Sequence, residues 1–207
     1  MKRLLFTLLI ATLLSGCAAT TIKKDYNLNE SSNKGLLVTS ISYQGGYSGY
    51  AVYFSDANSD KFDYVEFGAG VSLIPIPPKG DFSHLNRKGE VFATELPAGE
   101  YHIWRWRVQS GYATLTPIHP MKVEFKIEPG KATYIGNFDF IQTSSLGLTV
   151  TGVDVNYTDQ SEIDLDVLFK KFPNIKREQV IKGIKEGATY SGIGGSSQTS
   201  WNIPIIL

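Results

Sequence analysis

Cysteine, histidine and clustered carboxylates are the side chains that most readily do chemistry, and this chain has few of them. Cys17 is its single cysteine. A thiolate is the natural nucleophile for S-alkylation, and Cys17 ends an apolar run through Leu14-Ser15-Gly16. One cysteine leaves no disulfide and no cysteine-based zinc site. His84, His102 and His119 lack the spacing of paired metal ligands. Ser48, in Gly46-Tyr47-Ser48-Gly49, lacks the second half of a nucleophile elbow. Gly192-Ile193-Gly194-Gly195 has neither the lysine of a phosphate loop nor a helix after it, and Gly68-Ala69-Gly70 fails the same test. Asp154, Asp159, Glu162, Asp164 and Asp166 do not alternate as a calcium loop requires. Those near residue 162 suit a helix start instead. These residues predict no catalytic group, no metal and no cofactor.

Binding is a different matter. In Tyr101 to Val108, alternation puts His102, Trp104, Trp106 and Val108 on one face and Tyr101, Ile103, Arg105 and Arg107 on the other. That stretch is either a core strand or an aromatic platform for a glycan or peptide, with Trp104 and Trp106 joined by Tyr47 and Tyr50 from a glycine-rich loop. Leu73-Ile74-Pro75-Ile76-Pro77-Pro78 is a further candidate contact through Ile76, since apolar proline-rich loops are easily offered to a partner. It can equally lie on the fold.

The elements around these residues are mostly strands. Leu36 to Tyr43, Tyr50 to Phe54, Phe62 to Phe67, Val71 to Ile74, Val91 to Leu96, Glu100 to Val108, Lys122 to Ile127, Ala132 to Ile141 and Leu146 to Tyr157 are rich in β-branched and aromatic residues, with turn chemistry between them. Val123, Phe125 and Ile127 alternate with charged residues, the mark of one buried and one wet face. The pattern predicts a mainly β, antiparallel β-sandwich over residues 35–158. The period then changes. Ser161-Glu162-Ile163-Asp164 resembles a capping box, and Leu165, Leu168, Phe169 and Phe172 form a helical stripe. A second stretch from Arg177 to Glu186 completes a helical pair over 159–187. Residues 188–207 read as a flexible tail with an apolar end, and 17–34 as a polar tether.

Met1-Lys2-Arg3 followed by an apolar run to Leu14 has the form of a secretory signal, too short to span a bilayer. Leu14-Ser15-Gly16-Cys17 resembles the lipobox of bacterial lipoproteins. The resemblance implies removal of residues 1–16, lipid on the sulfur and amine of Cys17, and anchoring without a transmembrane helix. Ala18, where aspartate is associated with inner-membrane retention, implies an outer-membrane destination, facing the periplasm or the cell surface. Loss of Lys2 and Arg3 turns a balance of 20 basic and 20 acidic residues slightly acidic, which argues against nucleic acid.

Phe92 to Tyr101, with Leu96-Pro97-Ala98-Gly99, resembles a hairpin of transthyretin-like or carboxypeptidase-regulatory-like modules. Ile127 to Gly136, with Pro129-Gly130, resembles a later hairpin of small bacterial lipoproteins. The resemblance implies an immunoglobulin- or prealbumin-like sandwich and carries over no site. The expected function is that of a lipid-anchored, non-enzymatic binding or accessory module in the cell envelope, with a protein or glycan partner. A carbohydrate- or peptidoglycan-binding module is the alternative, and a hydrolase assembled from distant residues a third reading.

Overall fold

The computed structural model describes residues 19–59, 61–70, 77 and 79–202. The signal segment, Cys17, the expected strand Val71–Ile74, Ile76 and the apolar end at 203–207 lie outside these residues.

Among the described residues the strands form two six-stranded sheets. The first is built around β8 (Ala132–Leu146). One edge of β8 pairs in parallel with β1 (Lys34–Gln44). The other pairs antiparallel with β9 (Thr149–Thr158) and, at its start, in parallel with the short β10 (Val180–Lys182). β4 (Lys88–Pro97) extends the sheet beyond β1, and β11 (Thr189–Tyr190) beyond β9. The second sheet repeats this plan around β5 (Gly99–Ser110). β2 (Gly49–Asp56) and then β3 (Phe62–Phe67) lie on one side. β6 (Ala113–Pro117) and β7 (Val123–Ile127) share the other, and β12 (Ser197–Trp201) lies beyond β6. The mainly β, two-sheet expectation is met. The second sheet is antiparallel throughout, as expected, whereas the first is mixed, because β8 takes two parallel partners that reach it through long connections.

The inner faces meet in an aromatic core. Trp106 packs edge-on against Phe140 at 6.1 Å, and Tyr50 lies 5.1 Å from Phe140 and 4.9 Å from Tyr43. Both proline turns that resemble hairpins are crossings between sheets. β4 belongs to the first sheet and β5 to the second, and only Ala98 separates them. β7 and β8 are likewise in different sheets. The tyrosine of the first crossing, Tyr101, donates its hydroxyl to Pro97 O at 3.0 Å. Proline, which has no N–H to donate, ends one ladder where the chain leaves for the other sheet.

Residues 19–34 and 188–202 are ordered where parts of a tether and a tail were expected. Ala19 N donates to Tyr64 O at 2.8 Å on β3, and Ile22 N donates to Ala93 O at 2.8 Å on β4. The N-terminal segment therefore bridges the edge strands of the two sheets. Tyr26 donates to Glu95 at 2.7 Å, and Leu28 is buried. At the opposite edge β12 pairs with β6, and Thr199 Oγ1 donates to Thr151 O at 2.7 Å on β9. Exposed strand edges are liabilities, and these two segments cover them. The expected strand Leu146 to Tyr157 begins later, because Leu146 ends β8 and Gly147-Leu148 is the β8–β9 turn, with Gly147 at φ +60.

The helical pair is one helix, α1 (Ser161–Lys171). Arg177–Gln179 is a single 3-10 turn, and Val180–Lys182 is β10. Val180 and Ile181 favour extended backbone, and β8 offers them a free edge.

Candidate functional site

Helix α1 lies on the outer face of the first sheet and buries Ser161, Asp164, Val167 and Leu168. The expected stripe is displaced: Leu165 and Phe169 are half-buried, and the buried line runs through Asp164. Asp164 does not cap the helix. The Ser161 N–H is taken by Asp159 Oδ1 at 2.9 Å.

Asp164 has no exposed surface. Its Oδ1 accepts from Arg87 Nη1 at 2.9 Å, and its Oδ2 accepts from the Tyr134 hydroxyl at 2.7 Å. Ser40 Oγ lies 2.5 Å from the same Oδ2. Arg87 also donates through Nη2 to Asn137 Oδ1 at 2.6 Å and stacks 4.0 Å above the ring of Phe82. Burial pushes the Asp164 carboxyl above the usual carboxylate range, against the pull of the Arg87 guanidinium and the Ser40 and Tyr134 hydroxyls. Burial, and then the Asp164 charge, push the Tyr134 hydroxyl far above the ordinary phenol value. Ser40 has one proton for two close acceptors, since Asn137 Oδ1 is 2.8 Å away. A proton on Asp164 would satisfy both contacts.

This convergence depends on a bulge. Val38 pairs with Tyr134 and Ser40 with Asn137, so β8 carries one residue more than β1 between these pairs. The extra residue turns Tyr134 and Asn137, three apart in sequence, to the same face. Gly136, at φ +106, lies in the bulge. In a regular strand, the face opposite Tyr134 would receive Asn137.

Beyond the network the face opens into a polar cleft of about 460 Å³, within the range of small-molecule sites. Asp139 is held there by Ser42 Oγ at 2.7 Å and Gln44 Nε2 at 2.8 Å. Asn156 accepts from Gly192 N at 3.1 Å, which leaves its amide NH₂ unengaged among the described residues. Asn86, in the left-handed region at φ 55, and Gln160 add side-chain amides with no hydrogen bond among the described residues. The cleft offers amide donors and acceptors around a fixed guanidinium and a fixed carboxylate. That set recognises hydroxyls and amides. No group of three or more His, Asp and Glu residues suited to a metal occurs among the described residues.

Apart from Asp164, weighed only as one of an acidic set for metal, none of these residues stands out as a site in the sequence. The signal that could have found them is the run of polar residues two apart, Ser40-Ser42-Gln44 on β1, Asn137-Asp139 on β8 and Asn156-Thr158 on β9. Such runs ordinarily mark only a wet face.

The aromatic candidates do not come together. Tyr50 and Trp106 are core residues with 1% and 0% of their surface exposed. The Tyr50 hydroxyl donates to Gly46 O, and Trp106 Nε1 donates to Ile193 O at 2.9 Å. A second bulge is responsible. Tyr53 pairs with Arg105 and Phe54 with Ile103, leaving Trp104 as an extra residue. Tyr101, Ile103, Trp106 and Val108 therefore share the core face, while Trp104 is half-buried against Tyr53 and Phe62. Tyr47 is half-buried at the end of the sandwich, with its hydroxyl accepting from Ala69 N at 3.0 Å. Cys17 and Ile76 lie outside the described residues.

Fold and site together define a mainly β, two-sheet domain with a polar cleft on one outer face. The family model of the prokaryotic membrane lipoprotein lipid attachment site matches residues 1–18. That match supports a lipid-anchored lipoprotein of the cell envelope, held through Cys17. No curated protein and no solved structure matches the chain.

Proposed function

We propose that this lipoprotein is a non-enzymatic binding module of the outer membrane that takes a neutral polar ligand, a saccharide unit of the envelope, in the cleft beside Arg87. The reading rests on one observation: among the described residues, the side-chain amides of Asn86 and Gln160 and the NH₂ of Asn156 are uncommitted beside an Arg87 and an Asp139 already fixed by other groups. Groups held in place before binding cost little ordering entropy on complex formation. Their chemistry matches sugar hydroxyls and acetamido groups. Titration of the domain with soluble peptidoglycan fragments and envelope oligosaccharides, followed by amide chemical shifts, tests it. Perturbations should centre on Asn137, Asp139 and Asn156. Joint Asn156→Leu and Gln160→Leu substitution should weaken binding about tenfold, roughly 1.4 kcal/mol. Binding that ignores these substitutions, or no binding across the panel, would reject the cleft.

An accessory role toward an envelope protein is the second reading. Leu146, Leu148 and Tyr112 are 68%, 83% and 59% exposed. They sit in neighbouring turns at one end of the sandwich, joined by the Val150 N to Ser110 Oγ bond at 2.9 Å. Exposed apolar clusters commonly mark contact surfaces. Leu146→Asn and Leu148→Asn should abolish any co-purifying partner while leaving the fold intact.

A further inference from the structure

We infer that the outer face of the second sheet beside the N-terminal segment, around Phe62, Tyr64 and Trp104, lies against the lipid bilayer that holds Cys17. The inference rests on lipidation of Cys17. Only Ala18 separates Cys17 from Ala19, whose N–H is bonded to Tyr64 O at 2.8 Å. Two residues span at most about 7 Å. The lipidated residue therefore cannot stand farther than that from the edge where β3 and β4 are bridged. A glycerol-linked lipid on Cys17 has its ester region at the headgroup level, so this edge of the domain is held at the bilayer surface, with no long spacer between.

The surface beside that edge has the composition of an interfacial one. Tyr53, Phe62, Tyr64 and Trp104 form one aromatic cluster with ring centroids 5.0–5.9 Å apart. Arg107 lies over Tyr53 and Tyr64 at 5.5 and 5.9 Å. The Lys61 side chain is exposed at the start of β3. Tryptophan and tyrosine settle at the headgroup level of membranes, and an exposed lysine such as Lys61 is drawn to anionic headgroups, while Arg107 is already paired with Glu66 at 3.3 Å. The cleft opens on the other sheet, so this orientation leaves it facing away from the bilayer. It also leaves the β8–β9 turn, which belongs to the first sheet, one sheet spacing (~10 Å) farther from the bilayer than β3.

The test uses the full lipidated protein in phosphatidylcholine–phosphatidylglycerol vesicles carrying a headgroup acceptor dye. Mass spectrometry first establishes lipid on Cys17, and its absence would sink the anchor reading separately. Donor dyes are then placed at Lys61→Cys and at Leu148→Cys, two exposed positions that leave the core untouched. Energy transfer should be several-fold stronger from position 61 than from position 148. Insertion of a twelve-residue Gly-Ser segment between Ala18 and Ala19 should lower the transfer from position 61. Quenching by headgroup nitroxide lipids provides a second readout, and its quenchable share should fall in Trp104→Phe but not in Trp201→Phe. Equal transfer from the two positions, or stronger transfer from position 148, would overturn the orientation.

Discussion

The Arg87 guanidinium meets the fully buried Asp164 carboxyl at 2.9 Å, although 77 residues separate the two in the chain. Arg87 stands in the loop before β4 and Asp164 on α1, so the pair joins the helix to the sheet it covers. It also fixes one wall of the cleft through Asn137. Removing one partner of a buried pair leaves the other uncompensated, at a cost of about 3–5 kcal/mol. Asp164→Ala should therefore lower denaturation stability by that order. Arg87→Ala should cost much less in the Asp164→Ala background than in the wild type, and a double-mutant cycle by urea denaturation reads the difference.

Gly136 makes a separable prediction. A Cβ there would meet a Tyr157 ring carbon at 2.8 Å and an Ile184 methyl at 2.9 Å, at a φ of +106. Gly136→Ala should destabilise by more than about 1 kcal/mol. Because the bulge aims Asn137 and Asp139, the variant should also lose saccharide-induced shifts under conditions where it is still folded.

Alkaline pH should unfold the domain through its tyrosines. Burial holds the hydroxyls of Tyr50, Tyr134 and Tyr157 well above the ordinary phenol value of 10. The folded state keeps these protons where the unfolded chain has lost them. Their contribution is thus complete below pH 10 and declines as pH rises above it, by about 1.4 kcal/mol per pH unit for each such group. Phenolate absorbance of these residues should appear together with loss of the β-sheet circular dichroism signal. Ionisation well before unfolding would contradict the burial.

The two neighbouring tryptophans should behave oppositely. Trp106, fully buried and bonded to Ile193 O, should resist acrylamide, and Trp106→Ala should cost about 3–5 kcal/mol. Trp104, on the outer face, should account for more of the quenchable emission, and Trp104→Ala should cost clearly less. Because Trp201 is 45% exposed, the division is read in a Trp201→Phe background, by comparing it with Trp104→Phe added to it.

Much of the architecture is legible residue by residue. The alternation of Val123, Phe125 and Ile127 locates β7, and the 3- and 4-residue spacing of Leu165, Leu168 and Phe172 locates α1. Turn residues separate most strands. Misreadings occur where local pattern competes with a tertiary opportunity. Arg177 to Glu186 has a helical stripe, yet Val180 and Ile181 take the free edge of β8. Ala18 to Lys34 is polar enough for a tether, yet the backbone N–H groups of Ala19 and Ile22 pair with β3 and β4. Two proline turns look like hairpins because turn chemistry is local, whereas the sheet that the next strand joins is not.

By itself the sequence determined the features that depend on short spans: the lipid attachment site ending at Cys17, the mainly β class and the start of the helix. Tertiary structure alone decided which polar residues meet. One inserted residue at the Gly136 bulge and one at Trp104 each reverse the side-chain alternation of a strand. The first brings Asn137 into line with Tyr134, Ser40 and Arg87; the second sends Trp106 inward and Trp104 outward. A bulge is defined by its partner strand, and the partner of β8 lies about a hundred residues away in β1, beyond the reach of any local pattern.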